Sequence, residues 1–218
     1  NASNVLDVLS RAIRVHQQNA AQIQYLYDYY RGKQPILNRE KVVRPEINNK
    51  VVENHAREIV DFKRGYVFGE PVQYVRRGDG DGVSDLIARL NEYMFSEDKA
   101  AKDAELAEWF YICGTAYRMV LPKVNLGVDE EGCPFEMDVL DPRSTFVVYN
   151  NGFGKKPVMG VTVIKNKDDD EVYTVYTPNE WFTIISDQIV DGGPHALGGI
   201  PIIEYPANNT RLGAFEPV

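Results

Sequence analysis

Residues 25–74 read YLYDYYRGKQPILNREKVVRPEINNKVVENHAREIVDFKRGYVFGEPVQY. The stretch opens as the end of a Tyr-rich helix and breaks at Arg31-Gly32-Lys33. It then crosses a loop bracketed by Pro35 and Pro45 and turns helical again near Asn48 or Asn49. Val52, His55, Ile59, Phe62 and Tyr66 recur at spacings of three and four, which predicts one buried stripe on this second helix. Gly65 and Gly69 loosen its end. Pro71, which lacks an N–H, stops it. Working back, Leu6, Leu9, Ile13, His16, Ala20, Ile23, Tyr27 and Tyr30 continue the same spacing into a long first helix from about Asn4 to Arg31. Ser3 or Asn4 can cap its start, and Gly32 stands where a left-handed residue closes a helix. Such a helix suits a position across a surface or against a neighbouring subunit. The loop after it is basic, with Lys33, Arg39, Lys41, Arg44 and Lys50.

Working forward, Val72–Val75 reads as a short strand and Gly78–Gly82 (GDGDG) as an exposed turn. A third helix is predicted over Val83–Phe95, with Val83, Leu86, Ile87, Leu90 and Met94 on one face. Ser96 then caps a fourth, Glu97–Cys113, whose Glu97, Asp98 and Asp103 complement the positive helix end. Its predicted buried face is Ala100, Ala104, Ala107 and Tyr111, and Gly114 ends it. From Thr115 the period changes to two. Tyr117, Met119 and Leu121 alternate with Ala116, Arg118 and Val120, and Phe135, Met137 and Val139 alternate with Glu136 and Asp138. Asp129–Gly132 is the expected hairpin turn between them. Further strands are predicted at Thr145–Tyr149, Val158–Lys165, Glu171–Thr177 and Glu180–Ser186, then a loop from Gly192 to Gly199 and a last strand at Ile200–Tyr205. Short polar turns between successive strands imply an antiparallel meander. The expected fold is α+β: about four N-terminal helices followed by an antiparallel strand meander. Residues 1–114 are mainly helical, 115–206 form the meander and 207–218 begin a link.

The chain has 218 residues, of which 44% are hydrophobic and 26% charged, the balance of a globular protein. Its formal net charge of −8 argues against a protein that coats nucleic acid. No run of about 18 apolar residues is present, so no membrane-spanning helix is predicted. The first residues, NASNVLDVLS, carry neither an initiator Met nor a signal-peptide pattern and read as the cut end of a longer or processed chain. Cys113 and Cys133 are expected to be two reduced thiols rather than a disulfide framework.

Chemistry-bearing patterns are sparse. His16 and His55 fall on helical apolar stripes, where a packed, hydrogen-bonded histidine is expected. His195 lies in a Gly/Pro loop without partners at metal-ligand spacing. Cys113 sits at a helix C-terminus, the wrong electrostatic end for a thiolate nucleophile. No Walker-type loop, nucleophile elbow or zinc motif occurs. The acids of GDGDG would repel a phosphate, and Asp168, Asp169, Asp170 and Glu171 lack the frame of a calcium loop. Tyr25, Tyr27, Tyr29 and Tyr30 beside Arg31 and Lys33 suit either base stacking or a protein interface. The acidic balance favours the interface.

Three segments carry a resemblance: YYRGKQPILNR at Tyr29–Arg39, NNKVVENHAREIVDFKRGYVFGEPVQY at Asn48–Tyr74, and GGIPIIEYPANNTRLGAFEPV at Gly198–Val218. In this order, with helices and then strands between them, the chain resembles the portal proteins (head-to-tail connectors) of tailed bacteriophages and prophages over nearly its whole length. The resemblance implies an N-terminal wing fragment, residues 1–218, of a longer protein that continues into stem, clip and crown. It implies a structural, non-enzymatic subunit of a dodecameric ring at a capsid vertex of the virion, assembled in the bacterial host cytoplasm. Such a ring nucleates head assembly, docks the terminase, passes double-stranded DNA during packaging and ejection, and holds the neck connector proteins. Its partners would be its own copies, terminase, capsid or scaffold, neck proteins and DNA, with no cofactor, metal or membrane. On that reading Tyr27, Tyr30, Arg31, Lys33, Arg39, Lys41 and Arg44 are candidates for the subunit interface, the basic ones facing an acidic patch of the neighbour.

Two other readings make distinct demands. A phage or surface module binding protein or glycan would expose Tyr173, Tyr176, Trp181 and Phe182 on the meander. An enzyme would bring together His55, Cys113 or the carboxylates near Asp138 and Asp141 in one cleft.

Overall fold

The 3.6-residue period of the first helix decides how the molecule is built. In the computed structural model, which describes residues 3–78, 83–123 and 132–216, α1 runs Val5–Tyr30. Its 26 residues bury Val5, Leu9, His16, Ile23, Leu26 and Tyr30, and at 1.5 Å per residue it is about 39 Å long. It is too long for one core and serves two. Val5 and Leu9 pack with Phe146, Met159, Val161, Val175, Phe182 and Ile184. Ile23, Leu26 and Tyr30 pack with Val60, Ile112 and Cys113. Gly32, at φ +80°, closes α1. Its N–H reaches the Tyr29 carbonyl at 3.0 Å, and the Lys33 N–H reaches that of Asp28 at 2.8 Å, the paired bonds of a Schellman end.

A 3-10 turn at Pro35–Asn38 follows, and α2 runs His55–Phe68. The helix starts later than the sequence suggested because Asn54 is its cap. The Asn54 Oδ1 accepts the Arg57 N–H at 3.2 Å, while its Nδ2 donates to the Tyr30 carbonyl at 2.8 Å. One amide thus satisfies the start of α2 and the end of α1. Asn48 instead donates to the Arg39 carbonyl within the loop. Residues 72–75 form no strand: the Tyr74 backbone N–H and carbonyl are both taken by the Asn91 side chain, at 3.0 and 2.9 Å. Helix α3 spans Val83–Ser96 and α4 Lys99–Cys113. Ser96 belongs to the end of α3, its hydroxyl donating to the Tyr93 carbonyl, and Asp98, at φ 52°, makes the bend into α4. The inner face of α4 is Asp103, Leu106, Ala107, Ile112 and Cys113, whereas Ala100 is exposed.

The strands are antiparallel, as expected, but form two sheets rather than one meander. β1 (Thr115–Pro122), β2 (Phe135–Leu140) and β8 (Ile202–Pro206) form a three-stranded sheet in the order β2-β1-β8. Strands β3 (Thr145–Tyr149), β4 (Pro157–Lys165), β5 (Glu171–Tyr176), β6 (Glu180–Ile185) and β7 (Gln188–Pro194) follow each other in a five-stranded meander. The break falls at Asp141-Pro142, where the buried proline offers no N–H to a ladder. Strand β7 replaces the loop expected at Gly192–Pro194. A Cβ at Gly192 would stand 2.8 Å from the Trp181 carbonyl oxygen, so glycine is there to let β7 approach β6. The turns expected at Gly78–Gly82 and Asp129–Gly132 lie largely outside the described residues.

Candidate subunit contact surface

The seven sequence candidates divide into an inner and an outer group. Tyr30 is buried, and its hydroxyl donates to Asp61 at 3.1 Å. Burial, with the negative charges of Glu108 and Asp61, pushes this phenol up to about 12. Tyr27 is half-buried and stacks on Trp109, ring centroids 5.1 Å apart. The Arg143 guanidinium lies over both rings, 4.7 Å from Tyr27 and 5.2 Å from Trp109. Arg143 also grips Asp141, donates to Gln24 at 2.8 Å, and offers its carbonyl to His16 at 2.9 Å. The two tyrosines therefore anchor the root of the basic loop inside the chain.

The basic residues lie outside. Arg31, Lys33, Arg39 and Arg44 are exposed and Lys41 is half-buried. Lys33 pairs with Asp28 at 3.3 Å. The loop folds back on itself through its own lysines: Lys41 donates to the Ile47 carbonyl at 2.8 Å and Lys50 to that of Leu37 at 2.6 Å. Satisfying these carbonyls turns a polar loop into a lobe with a defined surface. Val42 and Val43 project from it, 97% and 78% exposed.

Helix α2 also exposes large apolar side chains, which the sequence reading missed. Its inward residues are Ala56 and Val60, with Arg64 bound to Glu108 of α4 at 2.6 Å. Phe62 and Tyr66, expected in the core, point outward at 73% and 83% exposure and stack on each other. His55 is likewise outside, between Glu53 and Glu58. Val60 packs with Ile112 and Cys113 of α4, so the large side chains fall on the opposite face. Helix α3 buries none of its residues, and Leu86 and Phe95 stand exposed. Exposed apolar side chains thus recur among the described residues from Leu37 to Phe95.

Comparison with known families gives one assignment: the model for phage portal proteins, SPP1 Gp6-like, matches residues 9–218. The chain belongs to this phage portal family. No curated protein matches it.

Within this portal chain His16 and Cys113 line one cavity with Pro142, whereas His55 lies outside it between Glu53 and Glu58. His16 is buried, stacked on Phe146 at 4.4 Å, and its imidazole is held below the usual range by burial. Cys113 is a buried free thiol bonded to the Trp109 and Thr115 carbonyls, and burial pushes it up to about 12. Cys133 is also free. Asp141 is bound by Arg143, and Asp138 meets Lys102 at 3.4 Å. His195 bonds the Thr177 carbonyl at 2.8 Å. Among the described residues no group of three or more His, Cys, Asp or Glu is placed to hold a metal ion, and no helix is long and apolar enough to cross a membrane. The aromatic platform fares no better: Phe182 is core, Tyr173 packs against that core, and Tyr176 and Trp181 are half-buried.

Buried ion pairs lock the three-stranded sheet to α4 and the turn before it. Asp103 on α4 receives Arg118 of β1 at 2.6 Å and also Lys99. Burial alone would raise the Glu97 carboxyl, but Lys123, Lys102 and the Met137 N–H hold it below the usual range. On β8, Glu204 accepts from Tyr149, Thr115 and Arg211, which ties the segment after β8 to both sheets. That segment passes so close to the end of α4 that a Cβ on Gly114 would collide with the Arg211 carbonyl.

Proposed function

We propose that this chain is the wing region of a portal ring subunit at a phage capsid vertex. In this reading the ring is the conduit for DNA packaging and ejection and the dock for terminase and neck proteins, and most DNA contacts belong to other parts of the subunit. The observation that carries it is the family match over residues 9–218, on a chain that leaves basic and large apolar side chains of residues 31–78 and 83–95 exposed. A ring subunit needs two unlike surfaces that close by rotation, and an uncovered lobe is one of them. The acidic balance suits a passage that must not trap DNA, since Lys and Arg contacts to phosphate are what hold it. Arg31, Lys33, Arg39, Lys41 and Arg44 form the subunit contact, braced from beneath by Tyr27 and Tyr30.

Negative-stain electron microscopy of the purified chain at high concentration tests the reading. Rings or arcs of about a dozen copies around a hole support it. Uniform single particles at every concentration, from a chain that also fails to enter heads when supplied to the phage that encodes it, would remove it.

A further inference from the structure

The basic lobe has a counterpart on the same chain that it cannot reach. Residues 31–77 hold eleven Lys and Arg against six Asp and Glu, a net +5, in a chain of net −8. Residues 165–191 hold two against seven, a net −5. Five of these acids, Asp168, Asp169, Asp170, Glu171 and Asp187, are gathered at one end of the five-stranded sheet. The register Lys165↔Glu171 and Ile185↔Gln188 puts the β4–β5 and β6–β7 turns side by side there. Asn166 shapes the first of these turns, its Oδ1 accepting the N–H groups of Asp168 and Asp170, each at 2.9 Å. Asp168, Asp169, Asp170, Glu171 and Asp187 are all exposed.

The two surfaces also match in their apolar content. Ile164, Ile189 and Val190 are exposed near the acidic turns, as Val42 and Val43 are beside the lobe's cations. A groove of about 440 Å³ opens at this end, lined by Ser10 and Gln17 of α1 with Asp170, Glu171, Tyr173 and Asp187. The lobe begins at the other end of α1, after Tyr30. The length of straight helix from Gln17 or Ser10 to that end keeps the two apart by about 20–30 Å. Within one chain the opposite charges never meet.

We propose that the basic lobe of one copy docks on the acidic end of the five-stranded sheet of the next copy. This rests on the portal-ring reading and names the two faces involved. Unlike surfaces at opposite ends of a rigid helix give a head-to-tail contact, which propagates from copy to copy and closes where the rotation allows. Opposed charge selects this pairing over lobe-to-lobe or sheet-to-sheet contact, which places like charges together.

The test uses the intact chain. A carbodiimide couples lysine amines directly to carboxylates in contact, and a mixture of light and heavy-nitrogen protein separates links between copies from links within one. Links between copies from Lys33, Lys41 or Lys50 to Asp168, Asp170, Glu171 or Asp187 are expected. Two variants then provide a rescue experiment, read by sedimentation at low salt. Arg31→Glu with Arg39→Glu, and separately Asp168→Lys with Asp170→Lys, each weaken self-association by about tenfold or more, and an equal mixture of the two regains it. Links confined to other residue pairs, or variants that associate like the parent, overturn this pairing. Rings by microscopy alongside that result leave the portal-ring reading standing. Absence of any link between copies overturns the pairing as well.

Discussion

The strand half and the segment from Lys33 to Ser96 come from one chain but are built to different ends. The five-stranded sheet buries Met159, Val161, Val175, Phe182 and Ile184 against the start of α1, and its core is complete within the subunit. Among the described residues between Lys33 and Ser96 only Ala56 and Val60 are buried, while Val42, Val43, Phe62, Tyr66, Val75 and Phe95 stand in the open. A fold that needed those residues for its own stability would have turned them inward, since burying each large apolar side chain is worth about 1.5–3 kcal/mol. Their exposure separates the part of the chain that holds itself together from the part that, on the proposed ring, meets a neighbour.

The contrast can be broken by mutation. Ile184→Ala, at a position 1% exposed, costs about 2–5 kcal/mol through lost transfer energy and the cavity left behind. Chemical denaturation measures this, and a cost below about 1 kcal/mol would mean that the sheet core is not where stability resides. The acid response of His16 comes next in size. Its folded-state value lies below that of the unfolded chain because burial disfavours the imidazolium. The unfolded chain then binds more protons just below pH about 6.5, so stability is full above that pH and falls on acidification toward the folded-state value. The exposed His55 is shifted the opposite way by Glu58 and Glu53. The melting temperature followed from pH 7.5 downward in a His55→Ala background should fall, and adding His16→Gln should flatten the curve. An unchanged slope after His16→Gln would assign the acid sensitivity elsewhere. The smallest effect belongs to the lobe: Phe62→Ser with Tyr66→Ser should change monomer stability by no more than about 0.5 kcal/mol for each. A loss of several times that would place these rings in an intramolecular core after all.

The sequence carries the elements better than their faces. The first helix ends where Gly32 predicts, because a left-handed close is a local property of two or three residues. Strand β3 matches Thr145–Tyr149 in full, its bounds set by the Asp141-Pro142 break and the Asn150-Asn151-Gly152 turn. Helix α2 shows the limit. Periodicity reveals that Phe62 and Tyr66 share a face, but whether that face turns in or out is decided by α4, far along the chain. The packing of Val60 on Ile112 and the Arg64–Glu108 pair outweigh two aromatic rings there, and no local pattern encodes that. Gly192 and Gly193 misled for a related reason: glycine signals a loop when read alone and a close strand approach when Trp181 and Phe182 lie opposite. For the candidate contact surface, the sequence located the basic loop, but not that Tyr27 and Tyr30 are committed to Trp109 and Asp61 inside it.

The length of α1 sets the geometry of everything attached to it. The helix is buried in one core at Leu9 and in another at Ile23, and between them only His16 is covered. It therefore behaves as an axle with a wheel fixed at each end. Each residue of an α-helix turns the chain by about 100° and advances it by about 1.5 Å. A single residue inserted between His16 and Ile23 would turn one half of the helix against the other by more than a quarter turn, and Arg143 could no longer hold His16 and Gln24 together. The number of residues in α1, as much as their identity, is what fixes how its two cores face each other.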